Sequence, residues 1–287
     1  MLHIHNGYSI KEICIALKIN RSSYYKWKSR RQSNSELLNT QIKDYVKEYY
    51  EESNGVLGYR QMSIVINREK INELPHAVNI KRVRRIMRAL GLKSVIRKKH
   101  PGYIKSTPEI TAENILNRDF KATVPFEKWL TDVTEFKYYV GTEVKKLYLS
   151  AILDLYDRRI VAYKIGDSNN NELVFTTFDE AINLYPNAKP IFHSDRGFQY
   201  TNKVFHQKLV DAGMIQSMSR VGRCLDNAPM EGWWGILKSE MYYLKKFTSR
   251  EALVSAIENY IQFYNTRRYQ KRLNCMTPCE YYLATAA

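Results

Sequence analysis

The sequence has few cysteines, no long apolar run and too few acidic residues to balance its basic ones. Cysteine occurs four times, at positions too scattered for the disulfide framework of a small secreted domain, and we interpret all four as reduced thiols: Cys14, Cys224, Cys275 and Cys279. No stretch approaches the roughly 20 apolar residues of a membrane-spanning helix, and the first residues lack the apolar run of a signal peptide. We therefore expect a cytoplasmic protein with access to the nucleoid and no membrane partner.

The shortage of acidic residues is concentrated in the first third of the chain. In total 45 Lys and Arg face 29 Asp and Glu, a formal net charge of +16. Residues 1–100 carry 21 of the basic and 8 of the acidic residues, whereas the rest of the chain is nearly balanced. A surplus of this size favours a polyanionic partner, because each neutralised phosphate releases condensed counterions. A solvated basic surface would have the same composition, so charge alone favours nucleic acid without establishing it.

The basic part begins with a pattern typical of a small helical hairpin. Residues 8–28 predict a short helix, a turn and a second helix that starts after Asn20. With Arg21 and Lys26 on its outer face, the second helix resembles the recognition helix of a helix-turn-helix, and we expect both residues to contact DNA. The alternative is a hairpin packed through its aromatic residues and without a role in binding.

A second helical unit is predicted over residues 35–98. Its most regular segment begins after Asn79, continues to Leu90 and is ended by Gly91. Five cations cover the polar side of this short helix, where they would repel one another unless water or phosphate groups surround them. We predict that they contact DNA phosphates, with a merely solvated face as the alternative: Lys81, Arg82, Arg84, Arg85 and Arg88.

The periodicity changes after a segment with little pattern. Residues 99–125 predict a linker that becomes ordered on DNA. Beyond it come three strands, and then helices and strands alternate. The expected strands are 127–139, 146–156, 160–165, 190–195 and 215–219, and the expected helices are 171–185, 202–212 and 228–243. This order predicts a mixed sheet flanked by helices, the α/β arrangement of the ribonuclease H-like fold.

Three carboxylates stand where such a fold would bring them together. Asp132 lies within the first strand, and Asp195 closes the fourth at the carboxyl end, where α/β sheets bind ligands. Glu231 lies near the start of the following helix, after Asp226-Asn-Ala-Pro, where Asp or Asn can cap and Pro fits the first turn. Taken singly, each carboxylate is explained equally well as a cap or a dipole partner. Asp154 is a fourth candidate on similar grounds.

Carboxylates in this arrangement suit metal-dependent phosphodiester chemistry. That chemistry uses two hard cations about 3.5–4 Å apart, and Mg²⁺ requires oxygen ligands. In this interpretation Asp132 bridges both ions, Asp195 binds one and Glu231 the other. Arg196 and Lys238 would hold phosphates beside them, although surface ion pairs explain these two residues equally well.

The motifs around these carboxylates resemble a known family. They read W-L-T-D at 129–132, H-S-D-R-G-F-Q-Y at 193–200 and D-N-A-P-M-E at 226–231, with 35 residues between Asp195 and Glu231. Together with G-Y-R at 58–60 and the arginine-rich tail 264–273, they resemble the second-frame catalytic protein of two-frame insertion sequences, a DDE transposase with a core similar to that of retroviral integrases. The resemblance covers nearly the whole chain.

The resemblance implies an activity, a cofactor and partners. It implies metal-dependent cleavage of element ends and strand transfer, carried out by Asp132, Asp195 and Glu231 with two Mg²⁺ or Mn²⁺ ions per active site. The partners it implies are double-stranded DNA, as element ends and as target, further copies of the chain assembled on that DNA, and an upstream-frame protein as a fusion or partner. Further contacts to the DNA backbone are expected from the tail: Arg267, Arg268 and Arg272.

The expected organisation has five segments. They are a helix-turn-helix-like segment at 1–30, a basic helical DNA-binding module at 31–98, a linker at 99–125, a catalytic core at 126–245 and a helical extension at 246–287. Two other functions share these features: a DNA-binding regulator without catalysis, and a nuclease that cleaves RNA–DNA hybrids. Strand joining separates them, because a regulator performs neither step and a nuclease only cleaves.

Overall fold

The computed structural model describes residues 9–96, 113–220 and 224–285. The first eight residues of the expected N-terminal segment and most of the expected linker lie outside the described residues. Cys14, Cys275 and Cys279 are free thiols, as the sequence predicts. Within the described ranges, no helix combines the length and apolar character that crossing a bilayer requires.

The N-terminal hairpin consists of α1, Ile10–Ala16, and α2, Arg21–Ser29. Each helix has the start that its sequence predicts: a capping box at Ser9 for α1 and an Asn20 side chain that accepts a backbone hydrogen bond for α2. Trp27 remains 55% exposed. The hairpin therefore buries little of its own apolar surface.

Three further helices form a module with its own core. They are α3, Asn34–Glu52, α4, Tyr59–Glu69, and α5, Ile80–Ala89. Helix α5 starts at an Asn79 cap and is followed by Gly91, which adopts the left-handed conformation at φ +71° that ends many helices. The buried side of the module is apolar and includes Ile42, Val46, Met62, Ile66 and Val83. The cations of α5 are thereby left on the opposite side.

The central sheet is mixed and has the order β3-β2-β1-β4-β5. Strands β1 and β2 and strands β2 and β3 pair antiparallel, whereas β4 pairs parallel with both β1 and β5. The strands are Lys128–Val140, Glu143–Asp154, Ile160–Gly166, Ile191–Ser194 and Ile215–Met218 in chain order. The helices between and after them are α6, Asn171–Leu184, α7, Lys203–Asp211, and α8, Ala228–Glu240. The α/β ribonuclease H-like prediction is confirmed.

Helices cover the sheet on both faces, and strand alternation sorts the side chains of β1 between them. Trp129 packs on the face that also contains residues of α6 and α7. Leu130 and Phe136 pack on the other face, against Trp233 and other residues of α8. Asp132 lies two residues after Leu130 on the same strand, so its side chain is on the same face of the sheet and faces α8.

The C-terminal extension is tied to the core by a buried ion pair. Helices α9, Arg250–Thr266, and α10, Pro278–Thr285, form this extension. Between them, the Arg268 guanidinium lies 2.6 Å from the Glu240 carboxylate, and both side chains are nearly buried. This pairing leaves Arg268 with little free surface, which argues against the DNA contact predicted for it from the sequence.

The last part of the expected linker is packed on the core. Leu116 is 2% exposed, and its amide donates to the Ser217 hydroxyl at 3.0 Å. The Met218 amide donates to the Glu113 carbonyl at 3.2 Å, beside the edge strand β5. The prediction that this segment is ordered only on DNA is therefore wrong for residues 113–125.

Candidate active site

Asp132 occupies the middle of β1, and both of its carboxylate oxygens accept a hydrogen bond. The Val133 amide donates to Oδ1 at 2.8 Å, and the Trp234 indole Nε1 donates to Oδ2 at 2.9 Å. A carboxylate oxygen has about two acceptor positions. Each oxygen of Asp132 therefore keeps one position for a further ligand.

Asp195 follows β4 at the carboxyl end of that strand. The parallel register pairs Leu130 with His193, so its continuation by two residues places Asp195 beside Asp132. The Gly197 amide donates to Asp195 Oδ1 at 2.9 Å. A Cβ at Gly197 would lie only 3.0 Å from this same oxygen, so a larger residue there would press on the aspartate carboxylate.

Glu231 lies in the first turn of α8 and is exposed to solvent. Pro229 occupies the first turn as the sequence predicts, but the N-cap residue Asn227 makes no side-chain capping bond. Its Nδ2 instead donates to the Thr131 carbonyl at 3.2 Å. This bond ties the start of α8 directly to the residue before Asp132.

The electrostatics connect all three carboxylates. Burial and, after it, the negative charge of Asp195 and the smaller effect of Glu231 raise the pKa of Asp132 to about 7, against the hydrogen bonds that it accepts. Burial of its carboxyl group also raises the pKa of Asp195. The residue as a whole is nevertheless exposed to solvent. Asp195 and Glu231 therefore both lie close enough to Asp132 for their charges to affect its pKa.

The three carboxylates do not yet have the spacing of metal ligands. Among residues 9–96, 113–220 and 224–285, no three His, Cys, Asp or Glu side chains are grouped closely enough to hold one metal ion. Asp195 affects the pKa of Asp132 more strongly than Glu231 does. The arrangement is therefore an aspartate pair with a glutamate nearby.

Two predicted cations lie at this site. Lys238 follows Glu231 by two turns of α8, and burial lowers its pKa while the charges of Asp132 and Glu135 act in the opposite direction. The Arg196 Nε donates to the Ser219 carbonyl at 2.7 Å, which fixes the side chain next to Asp195. Lys238 is thus a cation within the electrostatic range of Asp132.

The fourth carboxylate candidate, Asp154, has a structural role. It is fully buried and accepts hydrogen bonds from the Phe126 and Tyr156 amides and from the Trp129 indole. It is paired with Trp129, three residues before Asp132 on β1. Its acceptor positions stabilise the turn after β2, and we exclude it from the site.

The role of Trp234 at Asp132 was not predicted from the sequence. Trp233 and Trp234 are both buried in the core. The available signal was spacing, because Trp234 follows Glu231 by about one helical turn and carries an indole donor. Hydrophobic periodicity alone cannot separate the two adjacent tryptophans.

The other predicted DNA contacts lie on elements that carry none of the three carboxylates. Lys81, Arg84, Arg85 and Arg88 are exposed on α5, whereas Arg82 is half-buried, 3.5 Å from the Ser35 hydroxyl. The remaining exposed members of the predicted set lie on α2 and between α9 and α10: Arg21, Lys26, Arg267 and Arg272.

Family models match three parts of the chain. An integrase core domain matches residues 122–224, a second integrase core model matches residues 231–284, and an HTH-like domain matches residues 38–100.

Relatives that cover most of the chain are a transposase and a transposase-like protein. The putative transposase InsK for insertion sequence element IS150 of Escherichia coli K12 is 38% identical over 96% of this chain and 93% of its own length. An uncharacterized transposase-like protein of Haemophilus influenzae is 44% identical over 71% of this chain and 93% of its own length. Among solved structures, the HTLV-2 integrase catalytic core domain in complex with magnesium is 19% identical, with a TM-score of 0.44 over 56% of this chain and 99% of its own.

In the metal-free protein, Asp132→Asn should stabilise the fold at neutral pH. The ordinary carboxyl pKa of 3.8 is raised to about 7 in the folded state. Between these values the folded state binds more protons than the unfolded state, so wild-type stability falls as pH rises and the loss is complete above about pH 7. Each pKa unit corresponds to about 1.4 kcal/mol. Urea unfolding across this window should show a mutant advantage that grows with pH and then levels; an advantage independent of pH would contradict the assignment.

Trp234→Phe should raise the pKa of Asp132 still further. The change removes the indole donor to the charged carboxylate, a type of hydrogen bond that contributes roughly 1.5–3 kcal/mol, and keeps an aromatic ring in the core. Trp233→Phe is the matched control, because the Trp233 Nε1 is buried and has no hydrogen-bond partner among the described residues. Carbon NMR of the Asp132 carboxyl group over a range of pH measures its pKa in both variants. Equal pKa values in the two variants would show that the Trp234 bond is unimportant.

Proposed function

The chain belongs to the insertion-sequence transposases of the DDE type, with an integrase-like catalytic core, and we propose that Asp132, Asp195 and Glu231 are its catalytic carboxylates. The observation that carries the proposal is the raised pKa of Asp132, to which both other carboxylates contribute. Carboxyl groups whose pKa is shifted by burial and by neighbouring charges are typical of active sites. The three carboxylates come from β1, the end of β4 and the first turn of α8, and the charges of Asp195 and Glu231 both act on Asp132.

The donor set suits Mg²⁺ or Mn²⁺. All three side chains offer hard oxygen ligands, and each oxygen of Asp132 keeps a free acceptor position. We assign two ions to the site, and Asp132, Asp195 and Glu231 would hold them. When bound, such a pair activates the attacking oxygen and stabilises the leaving oxygen. Binding also relieves the repulsion that raises the pKa of Asp132.

The reaction has two phosphodiester steps. Water attacks the phosphorus at an element end, which breaks the bond to the 3′ oxygen and frees a 3′-hydroxyl. That hydroxyl then attacks a second phosphodiester, and the phosphorus exchanges one bond to oxygen for another. Val133 and Trp234 keep the Asp132 oxygens oriented during both steps. Lys238, beside Asp132, supplies positive charge to the phosphate, and Arg196 borders Asp195.

The proposed DNA surface is the polar side of α5, supplemented by α2 and by the segment between α9 and α10. The four exposed cations of α5 lie opposite the module's apolar core, so the helix can meet the phosphate backbone without exposing that core. The substrates we assign are element ends and target DNA, which places the protein in the cytoplasm, at the nucleoid. The family resemblance also leads us to propose that the protein assembles with further copies of itself and with the upstream-frame protein.

Asp195→Asn should abolish both cleavage and joining. The change preserves shape but replaces a charged metal ligand, and we expect a loss greater than about 100-fold, since altering even the residues around metal ligands costs 10–100-fold. The measurement uses labelled DNA with the native element ends and Mg²⁺ or Mn²⁺. Asp211→Asn, at the exposed end of α7, is the control and should retain activity.

The pattern of products separates the rival functions. Products that persist in Asp195→Asn would refute its assignment. Cleavage without joining in the wild type would indicate a nuclease. Inactivity of the wild type, even when fused to the upstream-frame protein, would indicate a regulator.

Replacing Arg85 and Arg88 together with Ala should weaken the salt dependence of DNA binding. Each phosphate contact contributes about 0.9 to the slope of log affinity against log salt, so the slope should decrease by about 2. Lys145→Ala is the control, because Lys145 lies on the β1–β2 hairpin within 3.3 Å of Glu143. Fluorescence anisotropy at several salt concentrations measures the slope. An unchanged slope in the double mutant would remove α5 from the DNA surface.

A further inference from the structure

Asp226 is a buried charge that the catalytic assignment leaves unexplained. It is fully buried in the short 3-10 segment Cys224–Asn227, five residues before Glu231. The sequence predicted that Asp226 or Asn227 caps α8, but no side-chain cap bond is present at that helix start. A charge without solvent requires compensation from elsewhere in the chain.

Three side chains and one backbone amide provide that compensation. Oδ1 accepts hydrogen bonds from Arg118 Nε at 2.6 Å and from an Arg220 terminal nitrogen at 3.0 Å. Oδ2 accepts from the Arg220 amide and Nε, both at 2.9 Å, and from Asn114 Nδ2 at 2.8 Å. Although burial opposes ionisation, the hydrogen bonds from Arg220 and Arg118 hold the pKa of Asp226 well below its usual range. The carboxylate is therefore charged and saturated with donors.

The donors come from two separate places in the fold. Arg220 follows the edge strand β5, whereas Asn114 and Arg118 belong to the segment that precedes the core. That segment is itself attached to the strand, through the Leu116 amide and the Ser217 hydroxyl. Asp226 thus joins the start of α8, the sheet edge and the segment 113–118 in one cluster.

The same cluster reaches the strand that precedes Asp195. His193 is fully buried, with Nδ1 2.9 Å from the Ser217 hydroxyl and Nε2 3.1 Å from the Ser219 hydroxyl. Both serines lie on or directly after β5, next to Arg220. The end of β4 and the start of α8 are therefore fixed to a shared support.

From Asp226 the chain leads directly to the active site. Asn227, the next residue, donates to the Thr131 carbonyl beside Asp132, and Glu231 follows one turn into α8. Among the described residues the three carboxylates are not grouped closely enough to hold one metal ion, and Glu231 affects Asp132 less strongly than Asp195 does. The position of Glu231 depends on how the start of α8 is held.

We propose that Asp226 is a positioning residue: with Arg118 and Arg220 it holds the start of α8 so that Glu231 completes the metal site. Because Arg118 lies in the segment that follows the DNA-binding module, the cluster also couples the position of that segment to Glu231. The inference rests on the proposed function of Glu231 as a metal ligand.

The test uses the full chain and Mn²⁺ as the probe, with bound metal measured from the EPR signal of the free ion. Asp226→Asn and Arg118→Gln should each raise the half-saturating Mn²⁺ concentration on the order of tenfold, the effect expected of residues that orient metal ligands. Arg118→Lys keeps a charged donor and should restore most of the affinity. Hydrogen exchange should be faster in the first turn of α8 in Arg118→Gln, although the two sites are more than 100 residues apart in sequence.

Asp157→Asn is the matched control for loss of a buried, paired carboxylate. Asp157 is fully buried and lies 2.9 Å from Arg159 in the turn between β2 and β3. The Asp157→Asn substitution should lower the melting temperature without changing the half-saturating Mn²⁺ concentration. A purely structural role for Asp226 would give the same result as this control.

Glu231→Gln separates the two levels of the proposal. If Glu231→Gln leaves Mn²⁺ binding unchanged, the proposed function of Glu231 fails and the inference fails with it. If Glu231→Gln weakens binding while Asp226→Asn and Arg118→Gln do not, only the inference is overturned. Should Asp226→Asn fail to fold, Arg118→Gln decides alone, because it leaves the Arg220 bonds to Asp226 in place.

Discussion

Asp132 cannot ionise without cost in this fold, because its carboxyl group is poorly solvated and two further carboxylates lie nearby. The protein keeps this arrangement by fixing the aspartate on a central strand, where the backbone hydrogen bonds of β1 with β2 and β4 hold it in place. The Val133 amide and the Trp234 indole offset part of the repulsion. The ionised Asp132 therefore lowers the folding stability of the protein, and a bound cation would restore it. Such a loss of stability is expected where function requires like charges to lie close together.

Charge elsewhere in the molecule has two separate uses. The exposed cations of α5 have no acidic neighbour on their own helix and suit a phosphate backbone. Arg118, Arg220 and Arg268 are instead held by the buried carboxylates of Asp226 and Glu240. A buried pair of this kind contributes less to stability than its distance suggests, but removing one partner is costly. Net charge therefore overstates the number of cations available to DNA.

The sequence predicted the elements well where the signal is local. Strand β1 and helix α6 appear within one residue of the expected ranges, since strand alternation and helical periodicity arise from neighbouring residues. The positions of the three carboxylates on these elements followed from the motifs. Contacts across long sequence separations were not predictable: the bond between Arg118 and Asp226 spans 108 residues. For the same reason Asp226 was expected to be a cap, and Arg268 a DNA contact.

The contrast between strand-borne and helix-borne carboxylates explains how such a site can be assembled. Asp132 and Asp195 are set by the register of β1 and β4, which cannot shift without breaking the sheet. Glu231 lies in the first turn of α8, where backbone amides lack helical partners and the bond from Asn227 to the Thr131 carbonyl helps to hold the helix start. The buried tryptophans of α8 fix the remainder of the helix against the sheet. In the proposed site, the third carboxylate is therefore the one whose position the register of the sheet does not set.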